Sequence, residues 1–178
     1  MTERSSMTAL VNRLRLLVGD PAGLTETFSF EQIQDALDAH RVEVLQLPLT
    51  PRPSIVNGIT SYREFYAPRG MWEADEVLVD SNYLTIAPST SDRLVGHWTL
   101  ATSKTPPVYI TGKVYDLYGA AVDVLEQWAA RFKAEFDFAT DSQTFARSQK
   151  SLQVEALAAT YRRRARPPAI RFVSSDTW

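Results

Sequence analysis

Apolar positions recur at three- and four-residue steps near both ends of the chain and at two-residue steps in its middle. Leu10, Leu14, Leu17 and Val18 form one stripe between Thr8 and Val18, with Asn12, Arg13 and Arg15 facing out. Gly19-Asp20-Pro21 stops this first helix, because glycine accepts the left-handed turn after a helix and proline cannot continue one. Ser29 with Gln32 three residues on fits a capping box, opening a second helix with Phe30, Ile33, Leu37 and Val44 inward. The longest periodic stretch, Thr111 to Arg166, predicts two long helices. Val114, Leu117, Tyr118, Ala121, Leu125, Trp128, Phe132 and Phe136 stack on one face of the first of these. Val122, Val124 and Ala129 widen that face. The other helix starts near Thr144, with Phe145, Leu152, Leu157, Ala158 and Tyr161 inward and Ser148, Gln149, Lys150 and Glu155 wetter. Asp137 to Ser142 is the polar turn between them. On pattern alone this pair is a helical hairpin core with no chemistry of its own.

Between these helical flanks the character changes. Pro48, Pro51 and Pro53 read as an extended linker. Tyr62–Tyr66, Glu76–Val79, Tyr83–Ile86, Leu94–Leu100 and Val108–Ile110 are strand candidates, with Asp80-Ser81-Asn82 closing a hairpin. Tyr62, Phe65, Tyr66, Trp72, Tyr83 and Trp98 are many aromatics for so short a region. They suit the packed face of an antiparallel sheet better than a stacking platform for sugars or bases. The predicted fold class is therefore α+β. It combines a four-helix bundle with a long C-terminal helical hairpin (residues 1–46 and 111–166), an inserted small antiparallel β-module (47–110) and an extended C-terminal arm (167–178).

Composition narrows the classes. A chain of 178 residues with 44% hydrophobic and 11% aromatic residues is that of a globular protein with one sizeable core. Its formal charge of −2 gives no global pull toward nucleic acid or membrane. Zero cysteines exclude disulfide scaffolds and thiolate metal sites. Met1–Met7 is polar, so no signal peptide is expected, and no run approaches the roughly 20 apolar residues of a membrane span. A soluble protein made in the cytoplasm is expected.

Candidate chemistry is sparse. Gly112-Lys113 lacks the rest of a phosphate loop, and there is no Gly-x-Ser-x-Gly elbow and no His-Glu-x-x-His. His40 and His97 are the two histidines, without the spacing of a triad. A lone His on a helix stripe, as His40 is, is more often a packed core residue than a ligand. Glu73, Asp75 and Glu76 form an acidic cluster, read as a solvated hairpin end before a cation site. No catalytic residue, metal or cofactor is assigned, and the chain is not expected to be an enzyme. A small enzyme or carbohydrate-binding domain would require a concave site near Glu73, His97 and Trp98.

The C-terminus is richer. Arg162, Arg163, Arg164 and Arg166 end the last helix, where cations oppose the negative end of its dipole. Pro167-Pro168 then stops it. Ile170-Arg171-Phe172-Val173 alternates apolar and polar residues, and the chain ends on Trp178. This suits an arm that pairs with another chain's sheet edge. The alternative is that Phe172 and Trp178 dock on their own domain. The arginines and the β-module aromatics also allow a second reading, a nucleic-acid-binding module.

The order of parts carries a resemblance. Leu17-Val18-Gly19-Asp20 ends a short first helix, and Phe28-Ser29-Phe30-Glu31-Gln32-Ile33-Gln34-Asp35-Ala36-Leu37-Asp38 opens the second. After an insertion come Tyr115-Asp116-Leu117-Tyr118-Gly119-Ala120-Ala121, Ala139 to Phe145, Arg147-Ser148-Gln149-Lys150 and a basic helix end. This resembles the head-to-tail adaptor (connector or head-completion) proteins of long-tailed bacteriophages. The resemblance implies a ring, expected to be a dodecamer, beneath the portal protein after DNA packaging. It also implies a platform for the next neck or tail-completion protein and a channel through which genomic DNA passes without specific binding. It places the protein in the virion neck, assembled in the host cytoplasm, with no membrane partner. Carried onto this chain, it assigns portal contact to the C-terminal segment: Ile170, Arg171, Phe172, Val173 and Trp178, with Arg162, Arg163, Arg164 and Arg166 leading into it. The central β-module is longer than in the minimal all-helical adaptors.

Overall fold

The computed structural model describes residues 2–23, 26–56, 58–136 and 144–165. A 3-10 turn at Ser5–Met7 leads into α1 (Thr8–Val18), followed by α2 (Phe30–Ala39). Three long strands follow: β1 (Arg41–Pro48), β2 (Thr50–Val56) and β3 (Ile59–Tyr66). Four short ones come next: β4 (Val77–Val79), β5 (Thr85–Ile86), β6 (Thr90–Asp92) and β7 (His97–Thr99). β8 (Tyr109–Tyr115), α3 (Leu117–Phe136) and α4 (Thr144–Arg162) complete the order. The strands form two four-stranded antiparallel sheets, β1-β8-β4-β5 and β2-β3-β7-β6.

This corrects the expected architecture. The protein is an α+β mix, 38% helical and 28% strand, and not a helical bundle carrying a small inserted β-module. Two elements account for the difference. The second helix does not run on to Val44; it ends at Ala39 with His40 as its C-cap, and Arg41 begins β1. The helix of the C-terminal hairpin does not start at Thr111; residues 109–115 are β8, and α3 starts at Leu117. β1 and β8 pair with each other from Arg41↔Tyr115 to Pro48↔Tyr109. Val42 and Val114 lie opposite each other, so both apolar residues serve a strand period and not a helical one. The proline linker is also strand. Pro51 and Pro53 lie in β2, an edge strand where a missing N–H is tolerated, and the register shifts at Arg52/Pro53.

Other expectations hold locally. The Ser29 hydroxyl accepts from the Gln32 N–H at 3.2 Å, and the Gln32 side chain accepts from the Ser29 N–H at 3.0 Å. Gly19 closes α1 with φ +77°. Asp80 builds the turn between β4 and β5, its carboxylate accepting from the N–H groups of Asn82 and Leu84 at 2.9 and 3.1 Å. α4 buries Ser151 and Ala158 beside Val154, Leu157 and Tyr161, whereas Leu152 is exposed. The polar turn expected at Asp137–Ser142 lies outside the described residues.

Two apolar cores result. One joins the helices through residues such as Leu10, Leu14, Ile33, Leu37, Ala121, Leu125 and Ala158. The other fills the space between the sheets with Phe65, Trp72, Leu78, Trp98, Ile110 and Val114. Trp72 and Trp98 meet edge to face with ring centroids 5.7 Å apart, so three of the six conspicuous aromatics (with Phe65) are core. Trp98→Ala removes the largest part of this packing. It should lower unfolding free energy by about 3–5 kcal/mol in urea titrations, with the helical layer's far-UV signal lost in the same transition.

Candidate functional site

The helical layer meets the sheets where β8 becomes α3, and the polar groups of the molecule gather there. Glu73 is 1% exposed. It accepts hydrogen bonds from Ser6 Oγ at 2.6 Å and from the Tyr115 hydroxyl at 2.5 Å. Arg4 Nε and Lys113 Nζ lie 3.4 and 3.6 Å from its oxygens. Arg4 also pairs with Asp38 on α2 at 2.5 Å, and Lys113 with Asp75 at 2.5 Å. Burial is the largest single influence on Glu73 and pushes its pKa up. The bonds from Ser6 and Tyr115 and the charges of Arg4 and Lys113 together outweigh it and hold the carboxyl below its usual range. Tyr115 is pushed well above its usual value, first by burial and then by its bond to Glu73.

The acidic cluster of the sequence is thus not a solvated hairpin end. Glu76 is buried as well, held by Arg93 Nε at 2.7 Å and by the Trp98 indole N–H at 2.9 Å. Among the described residues no group of His, Cys, Asp and Glu is arranged to hold a metal ion. Glu73 and His97 face different surroundings, since His97 stacks on Tyr66 with ring centroids 4.4 Å apart.

A cleft of about 610 Å³ opens beside the Glu73 network, between the layers. Val42, Met71, Leu94, Val114 and Leu117 provide its apolar surface, and His40, Arg69, Asp116, Tyr118 and Arg164 are among its polar lining. His40 Nε2 lies 2.8 Å from Asp123 Oδ2 on α3. The imidazole rests on Gly119, where an added Cβ would lie 2.5 Å from His40 Nδ1. Asp116 Oδ1 accepts from the Tyr118 N–H at 3.1 Å, at the start of α3. Arg69 sits on a loop held rigidly from below: its carbonyl accepts from the Trp72 indole N–H at 2.8 Å. A Cβ at Gly70 or Gly96 would meet the Leu94 or Arg69 carbonyl oxygen at 2.1 or 2.4 Å. Met71 has φ +63°, a conformation that costs a non-glycine residue about 1–3 kcal/mol. Its backbone N–H and C=O are both engaged, with the Leu94 carbonyl and the Tyr115 N–H.

A second surface stands apart. β7 pairs with β3 only at Glu64–Tyr66, while β2 and β3 pair as far as Val56↔Ile59. The β2–β3 hairpin therefore projects beyond its sheet. Its end carries Ile55 and Ile59, 79% and 72% exposed.

Of the residues assigned to portal contact, Arg162, Arg163 and Arg164 are described and exposed. Arg162 pairs with Glu126 on α3, and the Arg164 guanidinium lies over the Tyr118 ring, 5.8 Å from its centroid. Arg166, Ile170, Arg171, Phe172, Val173 and Trp178 lie outside the described residues, as does the whole proposed arm 167–178. Sequence reasoning missed the cleft, the His40–Asp123 pair and the Glu73–Tyr115 bond. One signal was present: Gly119 sits in an otherwise strong helical pattern, and a helix-interior glycine costs about 1 kcal/mol unless something approaches closely.

No family model, no curated protein and no solved structure matches this chain.

Two outcomes follow from this geometry. A carboxyl held below its unfolded-state value contributes stability above that value and loses it as pH falls through the folded one. Wild type should therefore weaken below about pH 4.3, the ordinary glutamate range. Glu73→Gln should lose part of that acid dependence and cost about 1–3 kcal/mol at pH 7, both read from denaturant midpoints across pH. Gly119→Ala should displace the imidazole from Asp123 and destabilise by about 1–3 kcal/mol, with a changed His40 ring signal in NMR spectra.

Proposed function

We propose that this chain is a structural protein of a bacteriophage neck, a head-to-tail adaptor that joins the portal-bearing head to the next neck or tail component. The observation that carries an assembly role is the projecting β2–β3 hairpin with Ile55 and Ile59 at its exposed end. Two isoleucines held in water at the tip of an ordered hairpin gain nothing for the folded monomer and much for a complex that covers them. The direction toward a phage neck comes from the resemblance. In support, the segments that carry it pack as one unit: Leu17–Asp20, Phe28–Asp38 and Tyr115–Ala121 all border the helical core. Phe28 meets Trp128 edge to face at 5.8 Å, and the Tyr161 hydroxyl donates to the Leu17 carbonyl at 2.9 Å.

In this reading neighbouring subunits contact one another through unlike surfaces, so that the rotation closes into a ring. Each hairpin contributes a modest affinity, and the ring multiplies it. Arg162, Arg163, Arg164 and Arg166 with the segment 167–178 are the proposed portal contact. The expected partners are the portal, a further neck protein and other copies of this chain, with DNA passing through.

The test is capture of the purified protein by DNA-filled, tailless heads, followed by sedimentation and electron microscopy. A ring at the portal vertex is expected. Absence of capture would overturn the proposal, and retention on free DNA at physiological salt would then favour the nucleic-acid reading. The double variant Ile55→Asp, Ile59→Asp should keep the wild-type circular dichroism and unfolding midpoint yet lose capture by about tenfold or more.

A further inference from the structure

The cleft between the layers combines an apolar floor with a cationic rim. Arg69 reaches it from the β layer and Arg164 from the turn that follows α4. Among the described residues, neither guanidinium has a carboxylate within ion-pairing distance. Asp116 is the one carboxylate among the described lining residues, and its Oδ1 accepts from the Tyr118 N–H at the helix start. Below the arginines lie Val42, Met71, Leu94, Val114 and Leu117. The loop that carries Arg69 is tied by hydrogen bonds from the Trp72 indole to the Arg69 carbonyl and from the Ala67 and Met71 N–H groups to the Gly96 and Leu94 carbonyls, so little of the site has to be ordered when it is filled.

We propose that this cleft is a docking site for an extended segment of a partner protein, one in which a large apolar side chain is flanked by carboxylates. Charge complementarity selects the anion, since the two exposed guanidiniums outnumber Asp116, the single carboxylate of the described lining, and suit carboxylates in bidentate geometry. The floor selects a peptide. A nucleic-acid strand would satisfy the arginines through its phosphates and leave the five apolar residues wet. A small free anion would leave most of about 610 Å³ unfilled. An apolar side chain between acidic neighbours answers both features at once. The inference deepens the neck reading by giving the chemistry of the partner segment, and it rests on that reading only for where the segment comes from.

The test uses the full chain, labelled with 15N, titrated with the synthetic peptide acetyl-Glu-Asp-Leu-Phe-Asp-Glu-amide. Three further probes are a version with lysine for each acid, a version with serine for Leu-Phe, and hexathymidylate. Saturable shifts at the amides of Met71, Leu94 and Tyr118 are expected, with a dissociation constant of about 100 µM. The lysine and serine peptides should bind at least about tenfold more weakly, as should the variant Arg69→Glu, Arg164→Glu. Both arginines are exposed, and unchanged circular dichroism will show that the variant folds. Absence of shifts up to about 2 mM peptide overturns the proposal, as do shifts confined to another surface or undiminished binding by the variant. Shifts of the same amides by hexathymidylate and not by the acidic peptide overturn it in favour of a nucleic-acid site. Head capture measured in parallel keeps the two readings apart. Capture without peptide binding removes the cleft proposal alone, and peptide binding without capture removes the neck reading alone.

Discussion

A carboxylate that water cannot reach must be compensated from within the fold, and Glu73 is compensated by three separate parts of the chain. Ser6 and Arg4 come from the segment before α1, Tyr115 and Lys113 from β8, and Asp38 enters through Arg4 from α2. These groups come from both layers, the segment before α1 and α2 on the helical side and β8 on the sheet side. The network can therefore form only when the helices and the sheets are already in register. Removing one partner of such a pair leaves a buried charge with too little compensation, which costs far more than the pair is worth against an apolar substitute. The interaction is better understood as fixing the arrangement than as adding to stability. It specifies where β8 stops being strand.

That transition shapes everything near it. Tyr115 is the last residue of β8 and Leu117 the first of α3, so the chain crosses from sheet to helical layer within one residue, Asp116. The Asp116 N–H donates to the His40 carbonyl, and His40 in turn caps α2 just before β1 begins. The two crossings between layers therefore lie side by side and are bonded to each other. Two chain segments that join helices at the same end of a sheet cannot fill the angle between them. The cleft is what remains of that angle. Its polar lining follows from the same cause, because crossing residues expose backbone groups that helices and ladders no longer satisfy.

Legibility in the sequence tracks how local the determining interaction is. The capping box at Ser29–Gln32, the glycine stop at Gly19 and the Asp80 turn each involve neighbours within four or five residues, and each was readable. β1 and β8 were not. Their pairing joins Arg41 to Tyr115, and neither stretch alone distinguishes a strand from the continuation of the adjacent helix. Val44 falls seven residues after Leu37 and Val114 three before Leu117, both spacings that a helical stripe also satisfies. What separates the two readings is a partner about 70 residues away in sequence, which no local window contains. The same limit hid the cleft, whose lining is drawn from α2, β1, the loop before Trp72, β8, α3 and the end of α4. Proline misled for a different reason: it excludes a central strand, and β2 is an edge.

The edge position of β2 also bears on how an assembly built from this fold would avoid going wrong. An open strand edge invites pairing with any other chain, and Pro51 and Pro53 remove two of the donors that such pairing would use. The hairpin thus combines an edge that resists strand addition with a tip that presents apolar side chains. Contact through Ile55 and Ile59 is directed to side-chain packing, which demands a shaped complementary surface, and away from backbone pairing, which does not. A protein that must remain apart from its own copies until a particular surface is presented would benefit from that division. The cleft proposed as a docking site would select by charge and shape together. Two surfaces of different chemistry on one chain suit a component that has to hold two different neighbours at once.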